Sequence, residues 1–219
     1  MSDTTTDTPT LIFRNLLPAD FHARLRAMVH RAEGLLIRSG VVGDDPSYRR
    51  SRVMRKPDDP EDAACLRDFL QFMQGFLPGH MQALDVEPFE QSGLELQMTA
   101  SGDGDYFLPH IDNDKASQYR RVSFVYYLVN TPGCFTGGEL RVFPFQGTGA
   151  ARRPSRAGAQ EIAPEDNMLA MFPSHYVHQV MKVSVPSRQF IDSRFTLNGW
   201  VLGPVPRDLE TPAPPLPAA

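Results

Sequence analysis

Three side chains of this 219-residue sequence have the types and spacing needed to hold a metal ion. His110 and Asp112 lie in the segment Tyr-Phe-Leu-Pro-His-Ile-Asp, which is typical of a short strand. Because strand side chains alternate between faces, the imidazole and the carboxylate should point to the same side. His178, far downstream in Val-His-Gln-Val, can complete the set from a neighbouring strand. Two imidazoles and one carboxylate form the ligand set of non-haem Fe(II) sites, which leaves coordination positions open for substrate and O₂.

The His-x-Asp pattern alone is weak evidence because it arises by chance in many chains, but three later segments add to it. The segment 120–130 carries two adjacent tyrosines, the second of which is Tyr127, so that one hydroxyl faces each side of a strand. In 136–144, two glycines permit a tight or left-handed backbone before the next strand. In 192–200, the guanidinium fork of Arg194 can bind a carboxylate through two hydrogen bonds.

Taken in order, the motifs His-x-Asp, Tyr-Tyr-Leu, Gly-Gly-x-Leu, His-x-Val and Arg-x₅-Trp resemble those of the Fe(II)/2-oxoglutarate dioxygenases of the prolyl 4-hydroxylase type. The resemblance covers roughly residues 94–202. It implies a double-stranded β-helix, a form of jelly roll, that uses Fe(II), 2-oxoglutarate as cosubstrate and O₂, with ascorbate as a reductant. It also implies hydroxylation of a C–H bond in a prime substrate, with release of succinate and CO₂.

Carried over position by position, the resemblance assigns the catalytic and cosubstrate-binding residues. It places His110, Asp112 and His178 on the iron as the catalytic metal ligands. It places Arg194 on the distal carboxylate of 2-oxoglutarate, and the hydroxyl of Tyr127 on the same carboxylate.

Two of these assignments have competitors in the sequence. Many family members place the arginine at a distance from the second histidine that would favour Arg188, whereas Arg194 lies six residues before a tryptophan, which is also a family spacing. A Pro-Ser turn before this region indicates a lengthened loop, so Arg194 is the favoured residue. His175 competes with His178, and the His-x-Val context favours His178.

One family feature is absent from this sequence. Upstream of the first metal-ligand strand the family often has a Tyr-x-Gly pattern, and here Ala100 stands at the tyrosine position. This departure predicts that one contact with the cosubstrate is missing.

Composition excludes several other classes of protein. The 22 basic and 26 acidic residues give a net charge of −4, which argues against nucleic acid as an obligatory partner. The sequence contains no apolar run of membrane-spanning length and no signal-peptide pattern, which predicts a soluble, cytoplasmic protein without a membrane partner. Cys65 and Cys134 fall in a predicted helix and a predicted loop, so no disulfide framework is expected and a reducing compartment is compatible.

The chain pattern predicts an α+β fold in which a jelly-roll core is braced by N-terminal helices. Residues 1–9 should form a disordered arm, residues 10–202 a single domain, and residues 203–219 a Pro-rich tail. Within the domain, 10–92 should supply helical support, with helices at 18–33 and 60–77, and 93–202 the core. Eight strands are predicted in the core, at 94–99, 105–111, 121–129, 139–143, 159–162, 168–172, 176–183 and 190–202.

Several alternatives remain open from sequence alone. The basic stretch 49–56 fits either a solvated edge or a rim that attracts an acidic substrate. The prime substrate can be a prolyl or other residue of a protein, a free amino acid or a small metabolite, because specificity lies in loops such as 38–58, 113–119 and 145–158. A catalytically silent jelly-roll binding module is the alternative function, and the sequence does not indicate an oligomeric state.

Overall fold

The computed structural model describes residues 10–39, 47–54, 56–114, 117–147 and 152–205. The predicted arm and all but the first three residues of the predicted tail lie outside these ranges. The described residues form an α+β structure of largely antiparallel sheets and a few helices, which confirms the predicted fold class. No helix within them has both the length and the hydropathy to span a membrane.

The α-helices lie in the N-terminal part of the described chain. The sequence predicts α1 (Ala19–Arg31) and α2 (Pro60–Phe76), and the short α3 (Pro78–Met81) was not predicted. The start of α2 follows from its sequence. The Asp59 side chain accepts hydrogen bonds from the backbone N–H groups of Glu61 and Asp62, and proline occupies the first helical position, where no N–H is needed.

The strands are β1 (Leu11–Arg14), β2 (Ile37–Arg38), β3 (Arg49–Arg50), β4 (Arg52–Met54), β5 (Gly93–Ser101), β6 (Tyr106–His110), β7 (Arg120–Leu128), β8 (Thr136–Gly137), β9 (Leu140–Val142), β10 (Phe145–Gln146), β11 (Arg153–Pro154), β12 (Gln160–Ile162), β13 (Met168–Pro173), β14 (His178–Val180), β15 (Val183–Ser184) and β16 (Arg194–Leu202). Three strands, β5, β7 and β16, have nine residues each, and the other strands are shorter.

Two main sheets form the jelly roll. One has seven strands in the order β1-β13-β7-β16-β5-β4-β2, and the other has five in the order β12-β9-β14-β6-β3. The remaining strands form two small two-stranded sheets, β10 with β11 and β8 with β15. The long strands β7, β16 and β5 lie side by side and build the centre of the larger sheet.

The two faces of the larger sheet bury different cores. On the outer face, α1 and α2 pack against Tyr126, Leu197 and other apolar residues of the strands. On the inner face, Tyr127 packs with Leu140 and Val142 of the smaller sheet. Adjacent tyrosines of β7 therefore point in opposite directions, as the alternation of strand side chains predicts.

Some predicted boundaries differ from the structure. The predicted strand 190–202 begins only at Arg194, because Phe190–Asp192 forms a 3₁₀ turn that places the buried Phe190 ring against Phe195. The predicted strand 176–183 is divided into β14, which pairs with β6 and β9, and β15, which pairs with β8. The pairing of β14 with β6 also contains a register shift between His178 and Val180.

His22 has a structural role that sequence reasoning missed. It lies on the buried face of α1, three residues before Leu25 and seven before Val29, with Nδ1 2.7 Å from the Tyr126 hydroxyl and Nε2 2.9 Å from Asp166. The Tyr126 hydroxyl donates to Asn167 at 2.8 Å. A polar contact thus fastens the helix to the outer face of β7, inside an otherwise apolar layer.

We expect Tyr126→Phe to lower the free energy of unfolding by about 1–3 kcal/mol, because His22 and Asn167 lose a partner in a buried position. Urea denaturation measures this change. Tyr106→Phe is the matched control, since the exposed Tyr106 hydroxyl donates only to a backbone carbonyl and its loss should cost about 0.5 kcal/mol or less. Equal losses in the two variants would contradict a specific role for the buried contact.

Candidate metal centre

The antiparallel pairing of β6 with β14 brings the two predicted histidine ligands together. His110 and His178 are directly opposite each other in this pairing, and Asp112 follows two residues after His110. One ligand atom from each residue lies within 4.8 Å of the others. The Nε2 atoms of His110 and His178 are 3.8 and 3.4 Å from the Asp112 carboxylate. The structure therefore places all three predicted ligands around one point.

Backbone carbonyls fix the orientation of both imidazoles. His110 Nδ1 lies 2.8 Å from the Leu108 carbonyl, and His178 Nδ1 lies 3.0 Å from the Tyr176 carbonyl. A carbonyl oxygen can only accept, so each Nδ1 must carry the hydrogen and donate. Both Nε2 lone pairs are thereby left free to face the Asp112 carboxylate, as metal ligands require.

Two serines orient the carboxylate. Ser123 Oγ donates to Asp112 Oδ2 at 2.6 Å and lies 2.9 Å from Ser174 Oγ. The backbone N–H of Asp112 donates to the Ser174 carbonyl at 3.0 Å. Asp112 Oδ1 has no part in these bonds, so the carboxylate has an oxygen available for a metal ion.

The electrostatics of the three groups suit a divalent cation. Burial, together with the neighbouring His178, lowers the pKa of His110 to about 3, so its ring is neutral at physiological pH. Burial opposes ionisation of Asp112, but His178 and the Ser123 hydrogen bond hold the pKa of this carboxyl below its ordinary value. An ionised carboxylate beside neutral imidazole nitrogens is the donor set that Fe(II) takes in non-haem sites.

Arg194 lies buried in the same cavity. Its Nε donates to the Gly138 carbonyl at 2.8 Å, and its guanidinium carbon is 5.0 Å from the centre of the Tyr127 ring. Arg194 Nη2, the Tyr127 hydroxyl and Thr196 Oγ1 are all buried without a hydrogen-bond partner among the described residues. Because buried polar atoms are nearly always paired, these three atoms indicate a place for a polar ligand.

The glycine pair of the sequence allows this arrangement. Gly137 and Gly138 both have φ of 72°, in the left-handed region. A Cβ on Gly138 would lie 2.6 Å from Arg194 Cδ, so only glycine lets the backbone carbonyl approach the arginine.

The competing residues of the sequence lie elsewhere. The Arg188 side chain is 80% exposed, and its Nε is 3.4 Å from Asp103. The His175 ring lies beside Phe145 and Tyr176 and does not line the cavity. Arg194 and not Arg188 thus enters the cavity with the His-Asp-His triad.

Ala100, which stands where the family often has a tyrosine, does not face the cavity in the structure. Ala100 is fully buried in the outer, helix-facing core, while the neighbouring Thr99 and Ser101 line the cavity. A tyrosine at position 100 would therefore point away from the cavity, and the missing contact predicted from sequence does not arise at this position.

The triad and Arg194 share one cavity of about 620 Å³. Sequence reasoning missed Ser123 and Thr196, although Thr196 shares a face with Arg194 by strand alternation and was therefore recoverable. The sequence also left open the role of the basic stretch 49–56, whose first residue, Arg49, lines the cavity.

Comparison with known proteins agrees with this fold and site. Residues 96–202 match the family model of the 2OG-Fe(II) oxygenase superfamily. The matched region, just under half of the chain, therefore resembles a 2OG-Fe(II) oxygenase domain, and it contains the His-Asp-His group that could hold a metal ion. An uncharacterized PKHD-type hydroxylase from Synechocystis sp. is 34% identical over 168 residues, which are 75% of this chain and 54% of that protein. The chain thus spans about half the length of this curated relative.

Solved structures support the fold. A Pseudomonas putida prolyl-4-hydroxylase has a TM-score of 0.67 at 21% identity, covering 90% of this chain and 94% of its own. A Trichoplax adhaerens prolyl hydroxylase, solved with a hypoxia-inducible-factor peptide fragment, has a TM-score of 0.71 at 17% identity, covering 93% and 88%. The jelly-roll fold predicted from the sequence is therefore confirmed.

We expect Ser123→Ala to weaken metal binding by about 10-fold or more, because the Asp112 carboxylate loses the hydrogen bond that orients it. Calorimetric titration with Mn(II), a redox-stable substitute for Fe(II), measures the affinity. Ser117→Ala is the control, since Ser117 donates to Asp114, a carboxylate outside the triad. Equal affinities for the wild type and Ser123→Ala would contradict the orienting role.

Proposed function

We propose that this protein is an Fe(II)- and 2-oxoglutarate-dependent dioxygenase that hydroxylates a C–H bond of a second substrate. The observation that carries the proposal is a group of unpartnered buried polar atoms. Arg194 and Thr196 carry two of them and line the cavity that also holds the triad, and Tyr127, whose ring centre is 5.0 Å from the Arg194 guanidinium carbon, carries the third. A diacid needs such an arrangement, with a metal for one end and a buried cation for the other.

In this proposal His110, Asp112 and His178 hold Fe(II) through their Nε2 and carboxylate oxygen atoms. With 2-oxoglutarate and O₂ bound, such an iron centre supplies oxidative decarboxylation to succinate and CO₂ and insertion of the second oxygen atom into a C–H bond. The remaining work belongs to the chain. Ser123 keeps the carboxylate turned toward the imidazoles, and the Leu108 and Tyr176 carbonyls keep the Nε2 lone pairs available.

The distal carboxylate of 2-oxoglutarate would lie against Arg194. The Gly138 carbonyl holds Nε of this guanidinium, which leaves Nη2 to donate together with the Tyr127 hydroxyl and the Thr196 hydroxyl. Burial raises the pKa of Tyr127, so its hydroxyl keeps its proton and can donate to the carboxylate. A buried cation and two neutral donors would balance one carboxylate and select a five-carbon diacid by length.

Aromatic rings hold the ligands in place. Phe107 stacks on His110 with 3.5 Å between ring centres, and Phe172 packs edge-on against His178 at 4.6 Å. Rings locked in this way keep the ligand atoms aligned and limit water beside them, which is the protein's share of such a reaction.

For the second substrate, we propose a prolyl or other residue of a peptide, because the similar solved structures from Pseudomonas putida and Trichoplax adhaerens are prolyl hydroxylases. A free amino acid or a small metabolite is the alternative within the same reaction class. Ascorbate as a reductant stays a prediction of the sequence resemblance.

The central test is succinate release that requires both Fe(II) and 2-oxoglutarate. We expect His178→Ala to reduce it to background, because a ligand of the iron is lost, whereas His175→Ala should retain most of the activity. Succinate measured by mass spectrometry with labelled 2-oxoglutarate reports the turnover. A wild-type protein that neither binds 2-oxoglutarate nor releases succinate would instead indicate a silent binding module.

The two arginines give a second test. Because charge-assisted hydrogen bonds to a buried carboxylate contribute roughly 1.5–3 kcal/mol, we expect Arg194→Ala to raise the KM for 2-oxoglutarate by about 10-fold or more. Arg188→Ala, which removes an exposed guanidinium, should change this KM less than about twofold. Steady-state kinetics with varied 2-oxoglutarate measures the two KM values. A larger increase in Arg188→Ala than in Arg194→Ala would overturn the assignment of Arg194.

A further inference from the structure

Arg49 places a guanidinium in the cavity without an ion-pair partner among the described residues. Its Nε donates to Ser51 Oγ at 3.0 Å and its Nη2 to Gln97 Oε1 at 3.3 Å, and both acceptors are neutral. Burial lowers the pKa of Arg49 to about 10, so the side chain is still charged at neutral pH. Burying a cation costs free energy unless an anion lies next to it. The charge of Arg49 therefore favours binding of an anionic ligand.

The rest of the basic stretch does not share this position. Arg50, the next residue of β3, pairs with Asp105 at 3.2 Å, and the Arg52 guanidinium lies 5.0 Å from the Phe190 ring centre. Neither of them lines the cavity. The alternation of strand side chains turns Arg49 inward and Arg50 outward, so the two form a matched pair for experiments.

Arg49 and Arg194 lie on opposite sides of the triad. In the smaller sheet, β6 and β14 with the two histidines separate β3 from β9, and Gly138, which binds Arg194, comes just before β9. The Arg49 guanidinium carbon is 4.8 Å from the centre of the Phe107 ring, which stacks on His110. One aromatic ring therefore contacts both this cation and a proposed iron ligand.

The other charged groups of the cavity are already engaged. Arg120 donates to Glu95 at 2.6 and 2.8 Å and lies over the Trp200 ring. Asp114 accepts a hydrogen bond from Ser117. Trp200 Nε1 is a buried donor with no hydrogen-bond partner among the described residues. With the triad carboxylate assigned to iron, Arg49 presents a positive charge with only neutral hydrogen-bond partners, and Trp200 presents a donor, among the described residues.

We propose that Arg49 is a specificity-determining residue that binds a carboxylate of the prime substrate. The proposal rests on the proposed function, because it takes the triad and Arg194 as occupied by iron and 2-oxoglutarate. Of the two roles left open for the basic stretch 49–56, it assigns attraction of an acidic substrate to Arg49 alone. The carboxylate can belong to a small acid or to an acidic residue beside the reacting one in a peptide.

The first experiment tests recognition without a known substrate. In protein loaded with Zn(II) and 2-oxoglutarate, acetate and acetamide are titrated while the ¹⁵N–H signals of the arginine side chains are recorded by NMR. We expect a saturable shift of the Arg49 signal, assigned by its absence in Arg49→Gln, with acetate and not with acetamide. No shift of this signal, or an equal shift with acetamide, overturns the proposal.

The second experiment measures turnover and separates the two sources of the carboxylate. Succinate release is compared with N-acetylproline and its carboxamide, and with proline peptides flanked by glutamate or by glutamine. We expect the acidic member of one pair to stimulate release, and Arg49→Gln to lower its kcat/KM roughly 10- to 100-fold. Arg49→Lys should recover part of this loss, because it restores the charge without the planar fork.

The controls keep the two proposals distinguishable. Arg50→Gln removes the same charge on the other face of β3 and should retain wild-type kinetics with every probe. Arg49→Gln should raise the KM for the acidic probe more than the KM for 2-oxoglutarate. If the carboxamide stimulates succinate release as much as the acid does, only the role of Arg49 is overturned. If the wild type does not turn over 2-oxoglutarate, the proposed function is overturned, and the acetate titration alone tests the role of Arg49.

Discussion

The pairing of His110 with His178 across β6 and β14 is the contact on which the site depends. Neighbouring strands lie about 4.8 Å apart, so two residues directly opposite each other bring their rings together without any loop having to hold them. The ring centres are 4.1 Å apart, and the Asp112 carboxylate lies beside both. Rigid ladder hydrogen bonds thus fix a cluster that would be electrostatically costly without a cation, because a buried carboxylate needs a counter-charge.

Much of this arrangement could be predicted from the sequence. The His110 and Asp112 pair follows from residue types and strand alternation, whereas His178 and Arg194 follow from the order of motifs in the family resemblance. Strand alternation predicts that one of the two adjacent tyrosines faces inward, and the family resemblance selects Tyr127 as that residue. The boundaries of 176–183 and 190–202 were less accurate because a change of pairing partner and a 3₁₀ turn leave no periodicity in so few residues.

Other features depend on contacts between distant segments and were not predictable. The spacing of His22 to Leu25 and Val29 places it on the buried face of α1, but its partner Tyr126 is 104 positions away and could not be identified from the local pattern. The inward direction of Arg49 depends on the pairing of β3 with β6, which two-residue strands do not reveal. Ser123 acquires its role only when the Asp112 carboxylate lies beside it, so a serine in an apolar strand carries no signal of its own.

The edge strands of both sheets have a consequence for how the chain can be divided. β1 pairs with β13 and β4 with β5 in the larger sheet, while β3 pairs with β6 in the smaller one, so residues before 93 complete both layers of the jelly roll. A fragment trimmed to the matched family region would leave rows of backbone N–H and C=O groups bare along three strands. Unpaired strand edges can pair with other chains, so a fragment trimmed in this way would self-associate into insoluble assemblies rather than stay monomeric.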